Sequence, residues 1–345
     1  MSQLILPEVL LDPRQRCFVE SRINSSIIIN GEPSTGKTVI LLHYLLRLSR
    51  EQEGKSVLFI APTSLFKKVL DLELTNHSIS CTTDTLAHFL INPSYYDYII
   101  VDDAHRYSLT ELETIKVYGG LFLLACDFSC PLINRFYLGG DRLSDQELPP
   151  DEGIKRLFEA KVFAVSHLFH QTPFLRLLRS NDASPVSLVK PINGCYTYQV
   201  DSLYEACTLI VRYFTVYHEN EVGILSYTRK GVEESNEIFK ELGYSLNTYL
   251  PGRDGIDSFQ VDSLTPRLLT IKSSIGLHFR HVFVLPCYKV FDEDTFEIAI
   301  SRSNETLTFF YEEELDWRLI KYKDCFINQY LPSHTNHSDN PEDSF

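Results

Sequence analysis

The sequence has no apolar run approaching the roughly 18–20 residues that a membrane-crossing helix requires. Its first residues, MSQLILPEVLLDPRQR, lack the basic segment, long apolar stretch and cleavage site of an export signal. Both absences lead to the expectation of a soluble, unexported, cytoplasmic protein with no membrane partner. Basic residues are few: 32 Lys and Arg stand against 46 Asp and Glu, a formal net charge of −14. That balance argues against coating nucleic acid by bulk electrostatics and leaves room for a local basic groove. Paired cysteine spacings are missing as well. The eight cysteines, spread across 345 residues, fit reduced thiols better than a disulfide framework. Cys126 and Cys130 are the one close pair, and no second pair at zinc-like spacing accompanies them, so they read as small buried residues. His105, His167 and His170 show no metal-ligand spacing, no internal repeat is evident, and no regular aromatic ladder marks a base-stacking platform.

Apolar material is ample. With 44% hydrophobic and 12% aromatic residues, 345 residues can bury more than one core, and two domains are expected. The first half alternates short β-branched or aromatic runs with longer amphipathic stretches. Ile27–Ile29, Val57–Ile60, Tyr98–Val101 and Leu121–Leu124 read as strands buried on both faces. Val39–Arg50, with Ile40, Leu41, Leu45 and Leu48 at helical spacing, reads as a helix. Such alternation specifies an α/β fold with a parallel sheet covered on both sides. The pattern resumes at Val162–Val165, Val222–Leu225, Leu268–Ile271, Val282–Leu285 and Thr306–Tyr311, which predicts a second α/β domain. Gly139-Gly140 and the polar run to Pro149-Pro150 mark the linker, so the domains are expected at 1–153 and 154–331, with a disordered polar tail over 332–345.

Residues 31–38 read GEPSTGKT and satisfy G-x-x-x-x-G-K-[ST] between a predicted strand and a predicted helix. Gly31 and Gly36 let the backbone curl so that the N–H groups along Glu32, Pro33, Ser34 and Thr35 and the helix N-terminus surround a phosphate, proline itself contributing no N–H. Lys37 supplies a point charge to the β/γ-phosphates, and the Thr38 hydroxyl is placed to ligate Mg²⁺. ATP and Mg²⁺ are therefore the expected cofactors. The acidic partner is found where Tyr98–Val101 runs into Asp102, Asp103, Ala104 and His105. Asp102 is the expected metal partner, and Asp103 the carboxylate that polarises the attacking water.

The ordered set of segments resembles a superfamily 1 helicase of the UvrD/Rep type over nearly the whole chain. Leu11-Asp12-Pro13-Arg14-Gln15 is similar to the upstream motif whose glutamine reads adenine, which implies that role for Gln15. Ala61-Pro62-Thr63-Ser64 and the stretch 82–89, TTDTLAHF, resemble strand-contacting motifs and imply Thr63, Ser64 and Thr85 as nucleic-acid contacts. DDAH at 102–105 stands where the family has Asp-Glu-x-Gln, and CDFSC at 126–130 where it has Gly-Asp-x-x-Gln. VGILSYTRKGVEESNEIFKELG at 222–243 is similar to the opening of the family's second motor domain, and TIKSSIGLHF at 270–279 resembles motif V. That likeness implies Ser273 and Ser274 on the strand and Gly276 near the nucleotide. EIAISRSN at 297–304 resembles motif VI, making Arg302 the finger on the γ-phosphate. The resemblance thus implies two tandem RecA-like P-loop domains, with Lys37, Asp102, Asp103 and Arg302 as catalytic residues.

Departures from the family pattern bear on turnover. Asp103 replaces a glutamate, Cys130 a glutamine, Ile275 a lysine and His278 a glutamate. Phe169-His170 stands for an aromatic-arginine pair, leaving Phe169 as an adenine platform or a core residue. Nucleotide binding is expected to survive these changes, and fast, coupled turnover is not. Short separations between Ser64 and Asp102, and between Leu225 and Thr270, leave no space for the accessory subdomains that family members insert. The leading expectation is an ATP-dependent translocase or helicase on single-stranded nucleic acid, DNA before RNA, acting with a protein partner. The competing one is a nucleotide-gated regulatory or assembly subunit with weak or no unwinding, for instance one that licenses a nuclease. Thr63, Ser64, Ser273 and Ser274 would serve equally as helix N-caps, and Arg302 as a surface ion-pair partner.

Overall fold

The structure is a computed structural model and describes residues 10–21, 24–32, 35–51, 54–128, 150–165, 194–217, 221–251, 259–261, 263–287, 293–313 and 327–328. Strands β1 (Ile27–Asn30), β2 (Val57–Ala61), β3 (Thr82–Thr85), β4 (Tyr96–Val101), β5 (Gly119–Cys126) and β6 (Lys161–Ala164) form a six-stranded sheet in the order β3-β2-β4-β5-β1-β6. All its pairings are parallel. The associated helices are α1 (Pro13–Glu20), α2 (Lys37–Glu51), α3 (Ser64–Asn76), α4 (Leu86–Phe89), α5 (Leu109–Lys116) and α6 (Pro150–Phe158). A second, seven-stranded parallel sheet contains β7 (Cys195–Gln199), β8 (Val222–Ser226), β9 (Asn247–Tyr249), β10 (Arg267–Thr270), β11 (Phe279–Val284), β12 (Ser303–Tyr311) and β13 (Ile327–Asn328). Its order is β13-β7-β12-β11-β8-β10-β9. Helices α7 (Leu203–Tyr217), α8 (Arg229–Glu241) and α9 (Glu293–Ile300) belong to it. Each sheet with its helices forms one lobe.

The apolar runs form strands buried on both faces because alternate residues enter different cores. Ile28, Leu58, Ile60, Ile99, Val101 and Leu124 pack on one side of the first sheet. Ile29, Phe59, Ala61, Ile100, Leu123 and Ala125 pack on the other. This strict two-residue alternation is the physical content of an unbroken hydrophobic run in a parallel strand. The second face shares one continuous cluster with Leu225, Leu269, Val282 and Leu307 of the second sheet, so the lobes are joined by apolar packing. Helix α2 contributes Ile40, Leu41, Leu45 and Leu48 to that cluster at the spacing expected of one helix face. Each fully buried Leu or Phe there stabilises the fold by about 1.5–3 kcal/mol. Among the described residues no helix is long and apolar enough to cross a membrane.

Two expectations change. The strand near Val162, assigned to the second half, pairs with β1 from Ile27↔Lys161 to Asn30↔Ala164 and is an edge strand of the first sheet. The first lobe therefore runs to residue 164, past the division expected at 153. Periodicity could not reveal this, because sheet membership depends on a crossover and not on local pattern. The apolar pattern leaves four strands unmarked: β3, β9 and β13 are short and lie at sheet edges, where Thr82–Thr85 needs no continuous apolar run, and β7 lies inside the second sheet but alternates buried and half-buried residues without an apolar run. The expected linker glycines 139 and 140, the tail from 332, and Cys130, His167, Phe169 and His170 lie outside the described residues.

Candidate nucleotide site

Parallel pairing brings the ends of β1, β4 and β5 to one edge of the first sheet, with β5 between the other two. The loop after β1 begins where Gly31 donates its N–H to the Cys126 carbonyl at 3.1 Å. A Cβ on Gly31 would lie 2.6 Å from the Val165 carbonyl oxygen and 2.7 Å from Thr35 Oγ1, so no side chain fits there. Gly36 adopts φ +81°, in the left-handed region that favours glycine. Lys37 folds back along the loop, Nζ donating to the Gly31 carbonyl at 2.6 Å and the Glu32 carbonyl at 2.9 Å. Thr35 donates from Oγ1 to the Glu32 carbonyl at 2.7 Å. Pro33 and Ser34 lie outside the described residues.

Gln15 reaches the same loop from α1. Asp12 caps that helix, accepting from the Arg14 and Gln15 N–H groups, while Gln15 Oε1 accepts from the Asp12 N–H in a reciprocal capping box. Fully buried, Gln15 then donates from Nε2 to the Thr35 carbonyl at 3.1 Å. Its amide is thus committed to holding the loop. The D-x-x-Q spacing after Leu11 fits this cap, a reading separate from the resemblance to an adenine-reading motif.

Thr38, in the first turn of α2, donates from Oγ1 to Asp102 Oδ2 at 2.8 Å. Burial and the neighbouring Asp103 charge raise Asp102 to about 7. For Asp103, burial works upward, but Arg106, His105, Lys37 and Arg302 together outweigh it and hold its carboxyl below the usual range. Asp103 sits at φ +51°, and its Oδ2 receives the Arg106 Nε–H at 3.1 Å. Burial pushes His105 down to about 4 despite Asp103, and its Nδ1 accepts the Asp127 N–H at 3.2 Å, which assigns the proton of the neutral ring to Nε2. A hydroxyl and a desolvated carboxylate side by side are hard oxygen donors suited to Mg²⁺. Among the described residues no group of three or more His, Cys, Asp or Glu could hold a metal. A cation at this pair would complete its shell with water and phosphate oxygens.

Arg302 approaches from the second lobe. It is buried, with Nη1 donating to the Ser274 carbonyl at 3.3 Å and the Leu277 carbonyl at 3.1 Å, and Nε to the Ile298 carbonyl at 3.1 Å. Its Nη2 donates to Ser301 Oγ at 2.8 Å. Burial lowers Arg302 to about 10, opposed by the Asp103 charge, so the guanidinium stays cationic. It is not a surface ion-pair partner.

The implied strand contacts divide. Thr63 is the N-cap of α3, its Oγ1 accepting from the Phe66 N–H at 3.0 Å; Ser64 beside it is exposed. Thr85 stands at the N-cap position of α4 without a side-chain cap bond, and its N–H goes to Asp84 Oδ1. Ser273 and Ser274 are buried. Ser273 Oγ bonds Thr270 Oγ1 at 2.8 Å, and Ser274 Oγ donates to the Ile271 carbonyl at 2.6 Å, closing the turn Lys272–Ser274 on itself. Their hydroxyls are engaged within that turn. Gly276, implied near the nucleotide, abuts the Phe66 ring.

A family model described as the Schlafen group 3 DNA/RNA helicase domain matches residues 24–183, a stretch holding the P-loop and the acidic pair. A comparison with curated protein sequences finds no match. Among solved structures, the DNA-bound DUF1998 helicase MrfA is similar at TM-score 0.59 and 12% identity, over 94% of this chain and 54% of that one. This chain thus spans about half of MrfA's length. Dbp5 of S. cerevisiae, bound to RNA and ADP BeF3, is similar at TM-score 0.56 and 11% identity, over 93% of this chain and 95% of that one. The fold is accordingly a helicase fold of two RecA-like sheets.

Proposed function

We propose that the chain is an ATP-dependent translocase or helicase on single-stranded nucleic acid, of the superfamily 1 UvrD/Rep type in reduced form. What supports this reading is the Thr38–Asp102 pair, 2.8 Å apart beside the loop that Lys37 folds along on the first lobe, together with an arginine, Arg302, buried in the second. In this reading Gly31 to Thr38 cradle the triphosphate, and Lys37 exchanges the Gly31 and Glu32 carbonyls for phosphate oxygens. Thr38 and Asp102 would hold Mg²⁺, which supplies charge neutralisation at the phosphates. Asp103, ionised and oriented by Arg106, orients the attacking water. Arg302 gives the closed arrangement a contact that depends on the terminal phosphate, so its loss favours opening. Thr63, Ser64 and Thr85 remain the proposed strand contacts. DNA is the preferred strand and a protein partner, such as a nuclease, is expected to supply what a two-lobed motor lacks.

The test is ATP hydrolysis by the purified chain with no polynucleotide, with single-stranded DNA and with RNA, beside Lys37→Ala. Stimulation by a strand, abolished in the variant, is expected. Binding of ATP without hydrolysis under any condition would instead favour a nucleotide-gated regulatory subunit. The inward-facing Ser273 and Ser274 and the net charge of −14 speak for that second reading.

A further inference from the structure

We propose that Phe66, on the first lobe, is a positioning residue for Arg302 on the second, acting through the backbone at Gly276. The inference rests on Arg302 being the arginine that meets the terminal phosphate. Phe66 is fully buried in the first turn of α3. A Cβ at Gly276 would lie 2.6 Å from its ring Cδ2 and 2.9 Å from Cγ, so bare backbone rests on the ring and nothing larger fits. Gly276 also has φ +83° and lies between the two residues whose carbonyls hold the guanidinium, Ser274 and Leu277. Those carbonyls are part of a closed turn, because the Leu277 N–H donates to the Ser274 carbonyl at 2.9 Å.

Displacing the ring therefore displaces both acceptors of Arg302 together, since close-packed contacts shift as units. A second tie lies nearby in α3: Lys68 Nζ donates to the Phe259 carbonyl of the second lobe at 2.8 Å. At its other end Phe66 is tied to Thr63, whose Oγ1 accepts its N–H. A continuous series of contacts thus runs from the first turn of α3 to Arg302. Seating that helix against the second lobe and aiming the guanidinium are one event.

The experiment measures affinities of the full chain for AMP-PNP and for ADP, with Mg²⁺, and takes their ratio as the contribution of the terminal phosphate. Arg302→Gln lowers this ratio about tenfold or more in the otherwise unchanged chain, as expected for lost charge-assisted bonds. In Phe66→Ala the ratio is already lowered, ADP affinity is retained, and adding Arg302→Gln changes little, the non-additivity of residues acting as one unit. Phe66→Leu, checked for folding by circular dichroism, serves if the alanine variant does not fold, and Gly276→Ala attacks the same contact from the other side. An equal loss on adding Arg302→Gln in both backgrounds would overturn the positioning role while leaving the site intact. No effect of Arg302→Gln in the unchanged chain would instead defeat the site assignment, and this inference with it.

Discussion

The loop after β1 and the turn after β10 are built from the same kinds of residue, glycine and small hydroxyls at the end of a parallel strand, yet they do opposite things with them. In the first, Thr38 sends its hydroxyl across to Asp102 at the end of β4, a partner 64 residues away. In the second, Ser273 and Ser274 spend theirs on Thr270 and Ile271, three residues back. A hydroxyl bonded across strands sits at a shared edge where a ligand is reached from both sides. One bonded locally closes a turn and is buried by it. The role of a small polar residue in such motifs is set by where its partner lies, which residue type does not report.

The largest test of this contrast is Arg302→Ala, which should leave ADP affinity unchanged, weaken binding of an ATP analogue about tenfold and lower turnover by roughly 10³-fold; single-turnover hydrolysis beside equilibrium binding measures all three. Gln15→Ala comes next. It strips the Thr35 carbonyl of a buried donor, so a loss of about 1–3 kcal/mol in denaturant stability and weaker nucleotide binding are expected. Asp102→Asn reads the cross-strand pair through pH. Because the folded carboxyl is raised from its ordinary 3.8 to about 7, its stabilising contribution is complete below about 3.8 and is lost as the pH rises through 7. The melting temperature of the parent should therefore fall relative to Asp102→Asn between pH 6 and 8, by about 2 °C or more. Ser274→Ala should have the smallest effect on function: about 1 kcal/mol of stability and no change in affinity for single-stranded DNA, measured by anisotropy. A clear loss of strand affinity there would restore the outward role and break the comparison.

Much of the nucleotide-binding half was legible because its signals are local and redundant. The runs Ile27–Ile29 and Tyr98–Val101 became strands, and Gly31, Lys37, Thr38 and Asp102 lie at the ends of them, with Thr38 bonded to Asp102. Arg106 escaped notice because an arginine three residues after an aspartate reads as an ordinary surface pair. The Asp127 N–H on His105 was hidden for a different reason: backbone donors leave no trace in composition. Nothing in the sequence sets Phe66 apart from its neighbours, and its contact with Gly276 joins residues that no periodicity relates.

Amino-acid order alone determined the two α/β layers, the phosphate loop and the identity of its charged groups, since apolar alternation, glycine conformation and side-chain charge act over a few residues. Tertiary structure decided that β6 closes the first sheet, that Ser273 and Ser274 turn inward, and that Arg302 is held by carbonyls braced from the opposite lobe. Those outcomes depend on which surfaces meet after crossovers of many residues. There, steric fit and the need to satisfy buried polar groups choose among arrangements that local preference leaves equal.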